Sequence, residues 1–179
     1  MHAAAGGVGR LLVQLATAAG AQVLGTVSSA VKADVARAAG AAEVIRYDEV
    51  DFAAAVRDLT AGRGVDAVYD AINRETFHAS LRTVRRRGTL VLYGEASGQV
   101  DPIAPKQLQA AGSVIFTYPS LLDFVAEPAE LRERSARLFA AVASGDLRLE
   151  VERRPLRDAA AAHRDLERRR TTGKLVLVP

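Results

Sequence analysis

Ala3-Ala4-Ala5-Gly6-Gly7-Val8-Gly9, running straight into Arg10-Leu11-Leu12-Val13-Gln14-Leu15-Ala16, is the stretch that decides the fold. Small residues leave the backbone bare, and an apolar run at helical spacing follows at once. A phosphate-binding turn enters a helix in this way, with the first-turn amides and the helix dipole facing an anion. Against G-x-G-x-x-G the spacing reads Ala4-x-Gly6-x-x-Gly9, with alanine at the first glycine. A dinucleotide fold also needs a strand before the turn, a helix after it and a ribose-recognising residue about 20 positions on. The helix is legible from Val8 to Ala19, with Leu11, Leu12, Leu15, Ala16 and Ala19 on one face and Gly20 as its stop. Of the strand, only Met1 and His2 precede the alanines.

Outward from the turn the chain alternates regularly. Gln22 to Val27 reads as an apolar strand, and Ser28-Ser29 caps a helix that runs to about Ala39. Glu43 to Tyr47 is a strand, Asp48 to Thr60 a helix, Val65 to Ala71 a strand, Glu75 to Val84 a helix and Thr89 to Gly94 a strand. Such βαβ rhythm predicts a doubly wound parallel sheet in an α/β fold. Further on, the pattern predicts a short helix over Lys106 to Ala111 and an edge strand over Ser113 to Thr117. A helix from Ala129 to Ser144 is expected to turn Leu131, Ala136, Leu138, Phe139 and Val142 to a core. A strand over Arg148 to Val151, a helix over Asp158 to Arg170 and a strand over Lys174 to Val178 complete the reading.

Composition narrows the function. The 179 residues carry 49% hydrophobic residues and a net charge of +3, enough for one α/β domain with a substantial core. The absence of cysteine removes disulfides, thiolate zinc sites and cysteine nucleophiles, and His2, His78 and His163 are too scattered for a metal cluster. No apolar run reaches the roughly 18 residues of a membrane span, and no signal-peptide pattern opens the chain, so a cytoplasmic location is expected. Arg85-Arg86-Arg87 and Arg168-Arg169-Arg170 each read as the end of a helix, where cations suit the dipole. Without interleaved aromatics they do not point to nucleic acid.

In a doubly wound sheet the ligand lies at the carboxyl ends of the strands. After the first complete strand stand Ser28-Ser29, where an NAD site places a carboxylate, and Lys32 follows one turn on. Serine accepts a phosphate that a carboxylate would repel, which favours NADP over NAD. Tyr47 closes the next strand, either against the adenine or phosphate or as an edge-strand aromatic. Later strands end at Ala71-Ile72-Asn73, Tyr93-Gly94 and Thr117-Tyr118, on the nicotinamide side. Gly94 marks either close ligand approach or an ordinary turn. Asp70 suits a cap for the next helix, and no nucleophile or acid-base pair stands out.

The ordered motifs His2 to Gly9, Gly25-Thr26-Val27-Ser28-Ser29 with Lys32, Val65 to Asp70, Tyr93 to Gly98, Thr117-Tyr118-Pro119-Ser120-Leu121, Ala143-Ser144-Gly145 and Thr171 to Pro179 resemble one family. It is the zinc-independent, zeta-crystallin-like quinone oxidoreductases of the medium-chain dehydrogenase/reductase superfamily, in which alanine at the first glycine is normal. The resemblance implies a Rossmann-like sheet, NADPH as cofactor, and hydride transfer to a quinone or other conjugated carbonyl without metal. It implies a cofactor site of Ala5, Gly6, Gly7, Val8, Gly9, Ser28, Lys32, Tyr47, Ile72, Tyr93, Gly94, Ser97, Tyr118 and Arg169. Ser28, Lys32, Tyr47 and Arg169 would meet the 2′-phosphate. It also implies a homodimer through the edge strand Ser113 to Thr117. Asn73 stands where the family usually has glycine, and Tyr118 where arginine is common.

Against that family the chain reads as the cofactor half alone. Residues 1–149 correspond to the nucleotide domain with its first strand truncated, and 150–179 to a helix-strand segment that packs on an absent catalytic domain. Met1 falls at the last position of the missing strand, the pattern of a fragment or of a valine codon read as a start. The competing reading of function is a non-catalytic NADPH-binding module, or an inactive fragment, lacking the substrate domain.

Overall fold

The computed structural model describes residues 1–168 and 170–179. The chain begins with four residues leading into the glycine turn and α1 (Gly7–Ala18), followed by β1 (Leu24–Val27), α2 (Ala30–Ala38), β2 (Glu43–Arg46) and α3 (Phe52–Leu59). Then come β3 (Val65–Asp70), α4 (Phe77–Thr83), β4 (Val84–Leu92), α5 (Pro105–Ala110) and β5 (Ile115–Thr117). All the ladders are parallel: β1 with β2, and β3-β4-β5 in that order. The two sets are joined by the first residues of the chain. Thr26 donates its amide to the Met1 carbonyl at 2.9 Å and Ala4 donates to Thr26 at 3.3 Å, while His2 donates to Tyr69 on β3 at 3.0 Å. Met1 to Ala4 therefore hold the central strand position, as the expected doubly wound sheet requires.

Each side of this seam has its own core. On one side Ala4, Ala5, Val13, Val27, Ala33 and Ala36 are buried together. These residues are small because the layers are close: a Cβ at Gly25 would lie 2.9 Å from that of Ala4. On the other side Val68, Phe77, Leu81, Leu90 and Leu92 pack, with Phe77 edge-on to Phe116 of β5 at 5.8 Å. Ser29 caps α2, its hydroxyl accepting from the Lys32 amide at 3.3 Å, and Asp51 caps α3 through the Ala53 amide at 2.8 Å.

Several expectations are corrected. Arg85-Arg86-Arg87 do not end a helix; they lie in β4 at a break in register, between the pairs Val65 with Val84 and Ala67 with Thr89. Gly88 allows this bulge, since a Cβ there would lie 2.9 Å from the Asp66 carbonyl oxygen. A short α6 (Leu121–Phe124) was not foreseen. The long helix α7 (Pro128–Ser144) forms and ends at left-handed Gly145 as expected, but it buries no residue: Leu131, Leu138 and Phe139 all face water. The next strand is β6 (Val151–Pro155), beyond Arg148, because residues 148–150 are used to dock on α1.

Beyond β6 a 3-10 turn (Leu156–Asp158) and α8 (Ala159–Glu167) lead to β7 (Lys174–Val178), parallel to β6. Three ties hold this segment to the nucleotide fold. Gln14 on α1 exchanges hydrogen bonds with the Arg148 backbone at 2.8 and 3.1 Å. The nearly buried Arg10 guanidinium grips Glu150 with two contacts at 2.8 and 2.5 Å. Gly6 and Gly173 form a parallel bridge.

Candidate functional site

The glycine turn is set by local geometry. Gly6 donates to the Ala3 carbonyl at 2.8 Å and then begins α1 as an N-cap with no side chain. With no capping oxygen and no acidic residue in the first turn, the amides of Gly7, Val8 and Gly9 are left for an outside acceptor. A Cβ at Gly9 would run into the Ala3 carbonyl, and one at Gly7 would lie 2.9 Å from the Gly173 oxygen. Ala5 is buried beneath the turn, and Val8 is exposed at its tip.

Under the turn is a buried polar network that sequence reasoning missed. His2 places its ring nitrogens 2.8 Å from Thr26 Oγ1 and from Ser80 Oγ. Ser80 spends its one proton on Asp70 Oδ2, at 2.9 Å, so His2 Nε2 carries the hydrogen donated to Ser80, and Nδ1 accepts from Thr26. Burial pushes the His2 pKa down to about 4 against the attraction of Asp70. Asp70 is fully buried and also accepts from the amides of Ile72 and Asn73 at 2.8 and 3.1 Å and from Thr76 Oγ at 2.7 Å. It thus fixes the whole β3–α4 loop, beyond the capping role expected. The signal in sequence was His2 inside the turn motif, with Thr76 and Ser80 following Asp70.

At the ends of β1 and β2 the structure brings together Ser28, Lys32 and Tyr47. Lys32 Nζ donates to Ser28 Oγ at 3.4 Å, and Tyr47 is partly exposed beyond β2, its amide bonded to Val27 at 3.1 Å. Arg169 lies outside the described residues.

The other half of the edge is built by the loops after β3, β4 and β5. Ser97 donates to the Ile72 carbonyl at 2.7 Å and accepts from the Glu75 amide at 3.0 Å, which zips two loops together. Ile72 itself is buried. Tyr93 is half-buried, and burial with the Asp70 charge pushes its hydroxyl up to about 12. The need for glycine at 94 has a definite cause: a Cβ there would lie 2.8 Å from the Ala71 carbonyl oxygen. Tyr118, partly exposed after β5, donates to Glu95 after β4. Asn73 adopts the left-handed conformation at φ 77°, which asparagine tolerates better than most residues.

Parallel βαβ ladders, a bare glycine turn and a row of strand-end loops define a nucleotide-binding α/β domain. Residues 7–127 match the zinc-binding dehydrogenase family, and the chain belongs to it, within the medium-chain dehydrogenase/reductase superfamily. The chain is 45% identical over 181 residues to a 2-haloacrylate reductase from Burkholderia sp, covering 100% of the chain and 54% of that protein. It is 42% identical over 181 residues to quinone oxidoreductase 1 of Escherichia coli K12, covering 99% and 55%. The crystal structure of the Escherichia coli quinone oxidoreductase complexed with NADPH superposes with a TM-score of 0.94 at 42% identity, over 99% of this chain and 56% of that one. The chain thus spans about half the length of the curated relatives it matches. The zinc of the family's name finds no donor set here: cysteine is absent, and among the described residues no three His, Asp or Glu gather into a metal site.

Proposed function

We propose that this chain binds NADPH and provides the cofactor half of an oxidoreductase that reduces a quinone or another conjugated carbonyl acceptor without metal. The observation that carries the reading is the uncapped turn Gly6 to Gly9, in which Gly7 and Gly9 leave no room for a Cβ, beside Ser28 and Lys32 joined at 3.4 Å. Bare first-turn amides suit a pyrophosphate, and a serine with a lysine suits the 2′-phosphate that distinguishes NADPH from NADH. The residues therefore fit the cofactor. Its relatives' quinone oxidoreductase and haloacrylate reductase activities support the acceptor class.

When bound, NADPH supplies the hydride, so the chain's own task is to hold and orient it. Gly7, Val8 and Gly9 would receive the pyrophosphate, with Ala5 and Gly6 shaping the turn. Ser28, Lys32 and Tyr47 would hold the 2′-phosphate end, joined by Arg169. Ile72, Tyr93, Gly94, Ser97 and Tyr118 would form the wall against the nicotinamide, which the Asp70 network keeps rigid. Residues 1–149 then act as the nucleotide domain, and 150–179 as the segment that meets a substrate domain. The exposed edge of β5 suits pairing with a second copy, and a cytoplasmic setting suits the cofactor.

Fluorescence titration with NADPH and NADH tests the reading. Lys32→Ala should weaken NADPH by roughly tenfold, the scale of one charge-assisted contact, while leaving NADH nearly unchanged. Equal loss for both cofactors, or no NADPH binding by the parent chain, refutes it. Binding without oxidation of NADPH by any quinone or enone would instead support the non-catalytic module.

A further inference from the structure

At the nicotinamide edge two loops meet at one hydroxyl, beside a buried asparagine of a third. Tyr118, after β5, donates to Glu95 Oε1, after β4. Gln99 Nε2 donates to the same carboxylate oxygen at 3.0 Å. Asn73, after β3, is fully buried, and its Oδ1 accepts from the Val100 amide at 3.0 Å. That bond orients the amide and leaves Nδ2 buried with no aligned acceptor of its own. The hydrogen bond to Glu95 holds the Tyr118 phenol above its ordinary value. The carboxylate is held in the opposite direction, below the usual range, by Tyr118 and Gln99.

Glu95 exposes an ionised carboxylate at this edge. Arg74 turns its Nε to the Gln99 carbonyl at 3.1 Å, so its guanidinium is engaged with the loop backbone. Tyr118 is neutral, so an ionised carboxylate faces outward with both its hydrogen-bond donors uncharged. An anionic acceptor brought to this edge meets repulsion, and an uncharged one meets none.

We propose that the Tyr118–Glu95 pair is a specificity determinant that directs this site to uncharged quinone or enone acceptors and against anionic ones. The inference rests on the oxidoreductase reading above. It distinguishes this chain from an enzyme for carboxylate-bearing alkenes, although its 45% identical relative is called a 2-haloacrylate reductase. Tyr118 is a positioning residue here, fixing where the Glu95 charge points.

The test uses the full chain with NADPH and a matched pair of acceptors, 1,4-naphthoquinone and its 2-sulfonate. The readout is the ratio of kcat/KM for the anionic to the neutral quinone. Glu95→Gln should raise that ratio roughly twofold to fivefold, the range for an exposed charge, and added salt should shrink the difference. A second readout needs no turnover: ultraviolet titration of the tyrosines, with Tyr118→Phe identifying the Tyr118 step, should show that step moving down in Glu95→Gln. Reduction of both quinones with a ratio indifferent to Glu95→Gln overturns the charge selection and leaves the oxidoreductase reading intact. A Tyr118 step that does not move overturns the pair itself. Reduction of neither quinone, with NADPH still bound, supports the non-catalytic module instead and overturns the selectivity with it.

Discussion

At the scale of single residues, His2 shows how a side chain can serve a ligand site without reaching the ligand. Its ring bridges β1 through Thr26 and α4 through Ser80, and through Ser80 it touches the Asp70 hub that shapes the β3–α4 loop. His2→Ala would leave two buried hydroxyls without their partner, a loss of about 1–3 kcal/mol measurable by urea unfolding. The pH dependence has a definite sign. His2 has a folded pKa of about 4, below its ordinary 6.5, so the unfolded chain takes up the proton first. This stabilisation is complete above pH 6.5 and is lost as pH falls from 6.5 towards 4, by at most about 1.4 kcal/mol per pH unit. The same acid limb should be missing from His2→Asn; an identical limb in that variant would exclude His2 as its source. The partners of His2 are not legible in sequence, because they lie 24 and 78 positions away.

At the scale of elements, α1 does two jobs on two faces. Its N-terminus offers bare amides, and its Arg10 and Gln14 clasp the chain at 148–150 just before β6. Glu150 sits at the water's edge, yet removing it strands a nearly buried guanidinium, so Glu150→Ala should cost about 1–3 kcal/mol. Hydrogen exchange should show this as faster exchange in β6 and β7, with β1 and β2 unaffected. Arg10 holds the Glu150 carboxyl below its usual range, so the clasp is present above that range and is lost as pH falls through the lowered value. Uniform exchange across the chain would mean that the clasp is not a separate unit. The helix itself was legible from its apolar spacing and the glycines that bracket it. Its clasp was not, since i and i+4 polar residues on a helix face read alike whether they meet water or a distant strand.

At the scale of the whole molecule, the sheet is two ladders held together by Met1 to Ala4, with a core on either side. Among the described residues no side chain of α7 is buried, its apolar stripe included, and Phe139 remains 72% exposed. Such a stripe should bind a dye for apolar surface. Leu138→Ser with Phe139→Ser should remove much of that fluorescence and shift the unfolding free energy by no more than about 0.5 kcal/mol. A large loss of stability would show that the stripe is packed in solution.

The sequence by itself determined the βαβ order, the Ser29 cap and the glycine turn, because each depends on residues a few positions apart and on the periods of helix and strand. It also placed Ser28, Lys32 and Tyr47 at neighbouring strand ends, since parallel topology carries strand endings to one edge. Only the tertiary structure decided that the Arg85 to Arg87 run is a bulge, that Gly94 answers to Ala71, and that Tyr118 meets Glu95. Those contacts join loops from different strands, and no local pattern records which distant backbone a side chain will face. The turn from Ala3 to Gly9 belongs to both: its residues announce a phosphate site, and its shape is held by Thr26, Tyr69 and Gly173 from elsewhere in the fold.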